Sequence, residues 1–508
     1  MLMSLYMGRN GRTQSSGADA GAAVLVDDSP IQTVAEDDDT SQLDAGPTPR
    51  TCERLAAEVV VVGGGNAALC AAIAARTAGA QVLVLERAPQ HDRGGNSKYT
   101  RNLRCIRDGL YGEDEFVDDL RGVSDSGMQE DLVRLLIRSS RELPFWMEEH
   151  GVRWQPELRG SLQLARTNKF FLGGGKALLN TYYARARQLG IHVRYDAFVR
   201  DIGRDEDGLT LAIDNGGDPL TVSAKAVVLA SGGFEANFNW LETHLGEGAR
   251  RFAVRGSRYN DGELLGRMHE LGAASRGVPG RAHAIAVDER SPQYDAGIVS
   301  RVDSIPFGIV VNRDAKRFAD EGQNLWPKRY ASWGHLIAEQ PGQIAFSIFE
   351  ASYLGSFIPP LYPPIQAETV KELAIELGLD PAALCGTVDT FNAATDGSGR
   401  SDFAHLDGRG TSSLEPPKSN WASPITRGPL CAYPVRPGIT FTYYSLAVNE
   451  RAEVLEERGE AMPGIYAAGE AVAGNFLSKG YLAGFGMTMG GVFGRIAGQE
   501  AATHVRGE

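Results

Sequence analysis

The stretch EVVVVGGGNAALCAAIAARTAGAQVLVLE, residues 58–86, decides the fold of this chain. Its residues 59–62 are a short, apolar, β-branched run, which is typical of a strand buried on both faces of a parallel sheet. Three glycines follow, and residues 67–78 are then mostly small, as in a helix that packs closely on a sheet. The segment QVLVLE predicts a second buried strand that ends at Glu86. Together these segments predict a βαβ unit.

The glycines of this unit match a fingerprint for dinucleotide binding. In Gly63-x-Gly65-x-x-Ala68, the first glycine makes the turn, the second admits a pyrophosphate, and the small third residue lets the helix approach the strand. The N-terminus of the helix presents free N–H groups to the phosphates. Glu86, at the end of the second strand, is placed to accept the ribose hydroxyls. We therefore predict a dinucleotide site.

Two later segments repeat the pattern of a buried strand that ends in glycine. AKAVVLASGGFEAN, residues 224–237, and GIYAAGEAVAGN, residues 464–475, precede a glycine-rich segment at 484–502 that predicts a long helix. A domain built from both ends of the chain suits a long cofactor that crosses it, so we predict FAD rather than NAD. The predicted cofactor-binding residues are Gly63, Gly65, Asn66, Ala67, Ala68, Glu86, Arg87, Gly94, Gly95, Asn96, Ser97, Gly232, Gly233, Gly469, Glu470, Gly486 and Met487.

The fold class that follows is α/β, with a Rossmann-like FAD-binding domain and an inserted α+β capping domain. We assign residues 56–284 and 426–508 to the FAD-binding domain. Residues 285–425 are richer in aromatics and prolines and are assigned to the capping, or substrate, domain. Residues 1–55 are rich in Gly, Ala, Ser, Asp and Pro, which predicts a disordered extension; a docking tail is the alternative.

Composition limits the classes of function. The formal net charge of −13 argues against nucleic-acid binding, which requires a basic face. The five cysteines are scattered without metal-ligand spacing, so we predict no metal site and a reducing compartment. No apolar run reaches about 18 residues, which predicts no transmembrane helix. The cytoplasm is the expected location.

RGGNSKYTRNLR, residues 93–104, concentrates four cations in this acidic chain. It directly follows the second strand and is predicted to run beneath the flavin. Its glycines, with Asn96 and Ser97, let the backbone approach the flavin. Its basic residues are predicted to point toward the pyrophosphate or an anionic substrate.

Seven segments carry a resemblance to a known family: GGGNAALCAAIAARTAGA, RGGNSKYTRNLRC, LARTNKFFLGGGKAL, GIVVNRDAKRFADEG, WPKRYASWG, RPGITFTY and KGYLAGFGMTMGGVFGRIAG. Together they resemble the tricarballylate dehydrogenase flavoproteins, within the fumarate reductase and succinate dehydrogenase flavoprotein superfamily. The resemblance spans residues 58 to 505 and implies oxidation of tricarballylate to cis-aconitate, with hydride transfer to FAD. No histidine stands at 94–98, where the succinate dehydrogenase branch attaches its flavin, so the resemblance implies non-covalent FAD.

The resemblance also implies roles for residues outside the cofactor site. Arg329 is the expected proton-transferring residue, with Lys328 and Tyr330 as its rivals. His283 is expected to hold a substrate carboxylate. The further substrate-binding candidates are Arg101, Arg104, Thr442, Tyr443, Lys479 and Tyr481. Phe441 stands where fumarate reductases have a histidine, a departure that argues against fumarate chemistry by the usual contacts.

Other functions remain open at this stage. They are a 3-ketosteroid dehydrogenase or related ketone dehydrogenase, a fumarate reductase-like enzyme with altered substrate contacts, a biosynthetic flavin desaturase, and an electron-transfer flavin subunit. The expected partners are a small tri- or dicarboxylate and a separate electron acceptor. The resemblance implies a membrane-bound acceptor carrying iron–sulfur clusters and haem, which would place the chain against the inner face of the membrane.

Overall fold

A computed structural model describes residues 53–124, 128–156, 164–206, 208–396, 401–411 and 413–507. Residues 1–52 of the extension that we predicted at 1–55 lie outside the described residues. Residues 53–55 open the first strand. Across these ranges, no helix is both long enough and apolar enough to cross a membrane.

The strands fall into two large sheets and two short ribbons. In chain order they are β1 (Glu53–Val62), β2 (Val82–Leu85), β3 (Asn102–Arg104), β4 (Asn168–Phe170), β5 (His192–Arg194), β6 (Ala197–Asp205), β7 (Gly208–Asn215), β8 (Asp218–Leu229), β9 (Ala253–Val254), β10 (Ser275–Arg276), β11 (Ala282–Asp288), β12 (Ile309–Asn312), β13 (Ala345–Glu350), β14 (Ile365–Ala367), β15 (Leu430–Thr442), β16 (Ser445–Leu446), β17 (Glu453–Leu455) and β18 (Ala461–Ala467).

The α-helices differ widely in length, and the longest is at the C-terminal end. In chain order they are α1 (Asn66–Thr77), α2 (Glu113–Val123), α3 (Glu130–Ser139), α4 (Leu143–Glu149), α5 (Leu164–Thr167), α6 (Gly174–Gln188), α7 (Phe238–Leu245), α8 (Glu263–Glu270), α9 (Trp326–Arg329), α10 (Trp333–Ala338), α11 (Val370–Leu377), α12 (Pro381–Ala393) and α13 (Phe485–Arg506).

The first sheet has eight strands and a parallel centre. Strands β18, β8, β1, β2 and β5 are neighbours in that order and pair in parallel. The antiparallel pairs β6–β7 and β7–β8 extend it on one side, and β17 pairs antiparallel with β18. Val59, Val60 and Val61 are fully buried, as the β-branched run predicts. The strand order brings the two ends of the chain into one sheet.

Helix α13 packs against α1 through glycines. A Cβ on Gly494 would lie 2.5 Å from the carbonyl oxygen of Ala67, and one on Gly498 would lie 2.2 Å from that of Ala71. Glycine at these positions allows the two helix backbones to approach more closely than any side chain permits. This contact fixes the N-terminal end of α13 next to the turn that follows β1.

The second sheet is antiparallel in its main strands. Its order is β11, β15, β13 and β12, while β14 and β9 also pair with β15. Helices α11 and α12 cover one face and enclose a separate small apolar core with Val311, Ile348, Leu373 and Phe391 among its members. The predicted fold class is confirmed.

The domain boundaries at 284/285 and 425/426 stay a prediction. Strand β11 crosses the first of them, and β15 lies beyond the second, although both strands belong to the second sheet. The second sheet therefore includes residues from both sides of the predicted boundaries.

The contact between α1 and α13 predicts a specific sensitivity to side-chain size. Gly498→Val should lower the free energy of unfolding by about 1–3 kcal/mol, because the new side chain would collide with the backbone of Ala71. Urea unfolding monitored by circular dichroism measures this change. Gln499→Val, at an exposed position of the same helix, is the matched control. Equal stability of the two variants would contradict the proposed close contact.

Candidate active site

A cleft of about 1600 Å³, open to solvent, lies at the carboxyl ends of the parallel strands. Gly63 after β1, Gly232 after β8 and Gly469 after β18 line it. Loops converge at this edge of an open parallel sheet, which is where such folds bind ligands. His283 and Phe441, from the second sheet, line the cleft as well. The cleft is therefore bounded by both sheets.

The structure brings most of the predicted cofactor residues together at this cleft. Glu86, at the end of β2, accepts hydrogen bonds from the backbone N–H groups of Ala88 (2.9 Å) and Gly94 (3.2 Å). Burial raises the pKa of the Glu86 carboxyl, and these donors partly offset that effect. The predicted cofactor residues that line the cleft are Gly63, Gly65, Asn66, Ala67, Glu86, Arg87, Gly95, Asn96, Ser97, Gly232, Gly469, Glu470, Gly486 and Met487.

The remaining three predicted cofactor residues lie behind the cleft surface. Ala68 is fully buried in α1. Gly94 directs its N–H to Glu86. A Cβ on Gly233 would lie 2.2 Å from a carboxyl oxygen of Glu470, so this glycine makes room for that side chain. These three residues support the cleft lining from behind, through packing, a hydrogen bond and space for a side chain.

The turn after β1 fits a dinucleotide. Gly63 has φ of 116°, and a Cβ there would lie 2.3 Å from the carbonyl oxygen of Ala230. A Cβ on Gly65 would lie 3.3 Å from the hydroxyl oxygen of Ser97, which itself accepts the N–H of Asn66 at 3.0 Å. Helix α1 begins at this point with its positive end toward the cleft. A pyrophosphate finds backbone donors here and no side chain in its way.

Three arginines line the other end of the cleft: Arg101, Arg255 and Arg301. Burial lowers the pKa of Arg101 to about 10 and that of Arg255 to about 9, and repulsion from Arg301 adds to both shifts. Arg301 donates to Asp303 at 2.8 Å. Burial opposes the charge of Arg301, yet Asp303 and Tyr330 raise its pKa overall. This end of the cleft is strongly positive in an acidic protein.

An aromatic wall stands beside the arginines; we define it as His283, Tyr330, Phe441 and Tyr481. The His283 ring stacks on Tyr481, with centroids 4.1 Å apart, and meets Tyr330 edge-on at 5.3 Å. Phe441 contacts Tyr481 at 5.7 Å. Neither ring nitrogen of the buried His283 has a hydrogen-bond partner among the described residues. The imidazole therefore retains its hydrogen-bonding capacity for a ligand.

The family to which the chain belongs follows from its match to a family model. The model described as "FAD binding domain" matches residues 58–484. The chain belongs to this FAD-binding family. It is accordingly an FAD-dependent oxidoreductase of the fumarate reductase and succinate dehydrogenase flavoprotein superfamily, which acts on carbon–carbon bonds.

Individual relatives of this FAD-binding protein differ in their named reactions. It is 28% identical over 482 residues to "Probable fumarate reductase Ifc3" of Shewanella frigidimarina (strain NCIMB 400), covering 91% of this chain and 76% of that one. It is 28% identical over 400 residues to "4-oxocyclohexanecarboxylate 2-dehydrogenase" of Sinomonas cyclohexanicum, covering 72% and 68%. The open conformation of a flavocytochrome c3 fumarate reductase has the same fold, with a TM-score of 0.70, 24% identity, and 89% and 78% coverage.

The three candidates for proton transfer in this FAD-binding protein lie in different places. Tyr330 lines the cleft. Arg329 is not among the lining residues; its guanidinium donates to the hydroxyl of Ser332 at 2.5 Å. Lys328 pairs with Asp119 beside a second, smaller cavity. Of the three, only Tyr330 faces the cleft.

The remaining substrate candidates divide between the cleft and its surroundings. His283, Tyr481 and Arg101 line the cleft. Four candidates are not among its lining residues: Arg104, Thr442, Tyr443 and Lys479. Arg104 is buried in an ion pair with Asp119. Thr442 hydrogen-bonds Glu470, the hydroxyl of the buried Tyr443 donates to the carbonyl of Gly480, and Lys479 is exposed.

Sequence reasoning missed Arg255, Arg301 and Glu235. Arg255 and Arg301 come from VRGSRYN and VSRVDS, neither of which contains a spaced motif. A usable signal was the pair Arg301 and Asp303, two opposite charges inside an otherwise apolar segment. Glu235 lies two residues after Gly233, at the edge of the sheet where ligands bind.

The surroundings of His283 predict that its imidazole stays neutral between pH 6 and 8. Burial, followed by repulsion from Arg255 and Arg301, holds its pKa well below 6.5. The unfolded chain therefore binds a proton at this histidine more readily than the folded protein does. As a result, His283 lowers the free energy of unfolding as the pH falls below about 6.5, the pKa of an unperturbed histidine. NMR of the ring C–H groups, assigned with His283→Gln and referenced to free histidine, should show no titration in this range. A midpoint near 6.5 would contradict the prediction.

Proposed function

We propose that this enzyme transfers hydride between FAD and a carbon–carbon bond next to carboxylates, and that its reaction is the oxidation of tricarballylate to cis-aconitate. The observation that carries the proposal is the group of three arginines, Arg101, Arg255 and Arg301, at one end of the cleft. A carboxylate removed from water costs several kcal/mol unless a cation or several donors replace its hydration. Three converging cations suit a substrate with several carboxylates.

Arg101 and Arg255 differ from an ordinary structural arginine. Arg101 has no hydrogen-bond acceptor among the described residues, and repulsion from Arg301 disfavours its charge. Arg255 is only 4% exposed and is held by the carbonyl of Gly297 and the hydroxyl of Thr440, both neutral acceptors. An anionic substrate supplies the negative charge that these two guanidinium groups need.

Tyr330 is the residue we propose for proton exchange at the neighbouring carbon. Burial raises the pKa of its phenol, whereas Arg301 and Arg255 lower it. The guanidinium of Arg301 lies 4.6 Å from the centre of the Tyr330 ring. The two guanidinium groups favour the phenolate of Tyr330, which is the form that would accept the proton from the substrate carbon; the phenol so formed would then return the proton to the solvent of the open cleft.

FAD would be held without a covalent bond. Bound FAD supplies the hydride acceptor of the reaction. Within residues 94–98, Lys98 directs its ammonium to the carbonyl of Asp92 at 3.1 Å and to Asp295 at 3.6 Å. Gly94, Gly95, Asn96 and Ser97 have no side chain that forms a flavin linkage. We further propose that the electrons leave to a separate acceptor; the membrane-bound partner and the cytoplasmic location stay predictions.

A second candidate substrate is a ketone that also carries a carboxylate. The aromatic wall favours it, because a flat ring packs well against the stacked His283 and Tyr481. The relative from Sinomonas cyclohexanicum is named for 4-oxocyclohexanecarboxylate, a molecule of this class. Fewer carboxylates would then share the three arginines.

Anaerobic flavin bleaching tests the proposed reaction. The purified yellow protein mixed with tricarballylate should lose its absorbance near 450 nm and release cis-aconitate. FAD should appear in the supernatant after acid precipitation, because no covalent bond retains it. Bleaching by 4-oxocyclohexanecarboxylate alone would establish the second candidate instead. A protein that binds FAD but is bleached by neither compound would contradict both.

Substitution distinguishes Tyr330 from its neighbour. Tyr330→Phe should slow bleaching by about 10²–10⁴-fold, the usual loss when a proton-transferring group is removed, while FAD stays bound. Arg329→Gln should have a much smaller effect, since this side chain is held by Ser332 away from the cleft. Stopped-flow absorbance measures both rates. A large loss in Arg329→Gln together with a small loss in Tyr330→Phe would reverse the assignment.

A further inference from the structure

Residues 293–298 form a short segment beside the arginine end of the cleft, which we call the strap. The strap follows β11 in the chain and is joined to residues 254–256 by backbone hydrogen bonds of 2.7–3.4 Å. Ile298, its last residue, lines the cleft. The strap therefore connects the chain that leaves the second sheet with the wall of the site.

The strap supplies two of the groups that hold the guanidinium of Arg255. The Nε–H group donates to the carbonyl of Gly297 at 3.2 Å, and Nη2 donates to the carbonyl of Ile298 at 3.5 Å. Nη1 donates to the hydroxyl of Thr440 at 2.9 Å. A guanidinium has five N–H groups in one plane, so among the described residues one N–H on each terminal nitrogen is left for a ligand. Such a pair of N–H groups binds both oxygens of a carboxylate.

Asp295 anchors the strap to another part of the chain. Its carboxylate accepts a hydrogen bond from the hydroxyl of Tyr99 and lies 3.6 Å from the ammonium nitrogen of Lys98. The guanidinium of Arg258 donates to its Oδ2 atom at 3.1 and 3.3 Å. All three donors lie outside the strap, and Lys98 and Tyr99 belong to the basic stretch at 93–104.

The backbone of Asp295 has an uncommon conformation. Its φ is 54°, in the left-handed region that few residues other than glycine adopt, although Asp is one of them. Such a conformation persists only where the surrounding contacts stabilise it. The three donors provide these contacts, so we expect the strap to shift when the carboxylate is removed.

We propose that Asp295 is a positioning residue for substrate binding, which fixes the strap so that its two carbonyls orient Arg255 toward a substrate carboxylate. The inference rests on the anionic substrate proposed above. Asp295 is not among the residues that line the cleft. It therefore acts on the ligand through the strap and Arg255.

The exposure of the ion pair indicates which property Asp295 controls. The side chain of Asp295 is 29% exposed and that of Arg258 is 55% exposed. Ion pairs near the surface contribute little to stability. Loss of the carboxylate is therefore expected to leave the fold and the bound FAD intact, and to change the affinity for anions.

Isothermal titration of the FAD-loaded full chain with malonate tests the proposal. Malonate is a dicarboxylate with a single CH₂ group, so it has no carbon–carbon bond that the enzyme could oxidise. Asp295→Asn should raise its dissociation constant about 10-fold, the effect of weakening one hydrogen bond to a charged group. Glu289→Gln, at an exposed position between β11 and the strap, is the matched control and should leave the affinity unchanged.

A second substitution separates this role from a general structural one. In Arg255→Gln the strap has no guanidinium to orient, so adding Asp295→Asn should change the malonate affinity by less than about 2-fold. An equal effect of Asp295→Asn in the two backgrounds would refute the inference. An unchanged affinity in the single variant would refute it as well.

Asp295→Gly keeps the test decisive if Asp295→Asn does not fold. Glycine adopts a φ of 54° without strain, so this variant should fold and retain FAD. It lacks the carboxylate and should match the affinity expected of Asp295→Asn. Wild-type affinity in Asp295→Gly would overturn the proposal. Loss of FAD from both variants would also overturn it, because Asp295 would then hold the flavin-binding stretch rather than Arg255.

The wild type distinguishes this inference from the proposed function. A wild type that binds malonate, together with variants that bind it equally well, would refute only the role of Asp295. A wild type that does not bind malonate would refute the anionic site, and the role of Asp295 with it.

Discussion

The close approach of helices α1 and α13 is the constraint on which the rest of the structure depends. Their backbones meet where Gly494 and Gly498 face Ala67 and Ala71. The contact joins the first helix of the described residues to the last one. It places Gly486 and Met487 beside the turn that follows β1, where the side-chain amide of Asn66 donates to the carbonyl of Met487 at 3.1 Å, so that one cofactor is able to touch both. A bulky residue at this contact would separate the two halves of the site.

The distribution of charge in the cleft follows a simple rule. Positive charge is concentrated at Arg101, Arg255 and Arg301; of these three, only Arg301 has a carboxylate partner, Asp303, within the part of the chain that the structure describes. The carboxyl side chains that line the cleft are those of Glu86, Asp261, Glu263 and Glu470, of which Asp261 pairs with Arg87. Among the described residues, this acidic protein thus has a local positive region with few matching anions, which suits the anionic substrate that we propose.

The fold was predictable because it depends on local patterns. The β-branched run and the glycines of residues 58–86 specify a βαβ unit, and the predicted helix 67–78 is observed as Asn66–Thr77. The helix predicted at 484–502 is observed as Phe485–Arg506. Small residues, glycine turns and apolar β-branched runs predict the same local structures wherever they occur in a sequence. The glycine turns also located most of the cofactor residues.

The substrate end of the cleft was less predictable because it depends on long-range packing. Adjacent residues of a helix point about 100° apart, so an error of one position decides whether Arg329 or Tyr330 faces the cleft. Arg255 and Arg301 are far apart in the sequence and meet only when β15 and the segment after β11 pack together. No local pattern encodes such a meeting.

Strand β15 has a mechanical consequence for the cleft. It runs for 13 residues, about 43 Å in extended form, from Leu430 in the second sheet to Thr442 beside Glu470. It pairs with β11 from Val435 to Thr442, with one register irregularity at His283/Ala284, and with β13 from Leu430 to Val435. The strand belongs to the second sheet along its length and places Phe441, near its C-terminal end, on the wall of the cleft. A change in the tilt of the second sheet would therefore move Phe441 and change the width of the cleft.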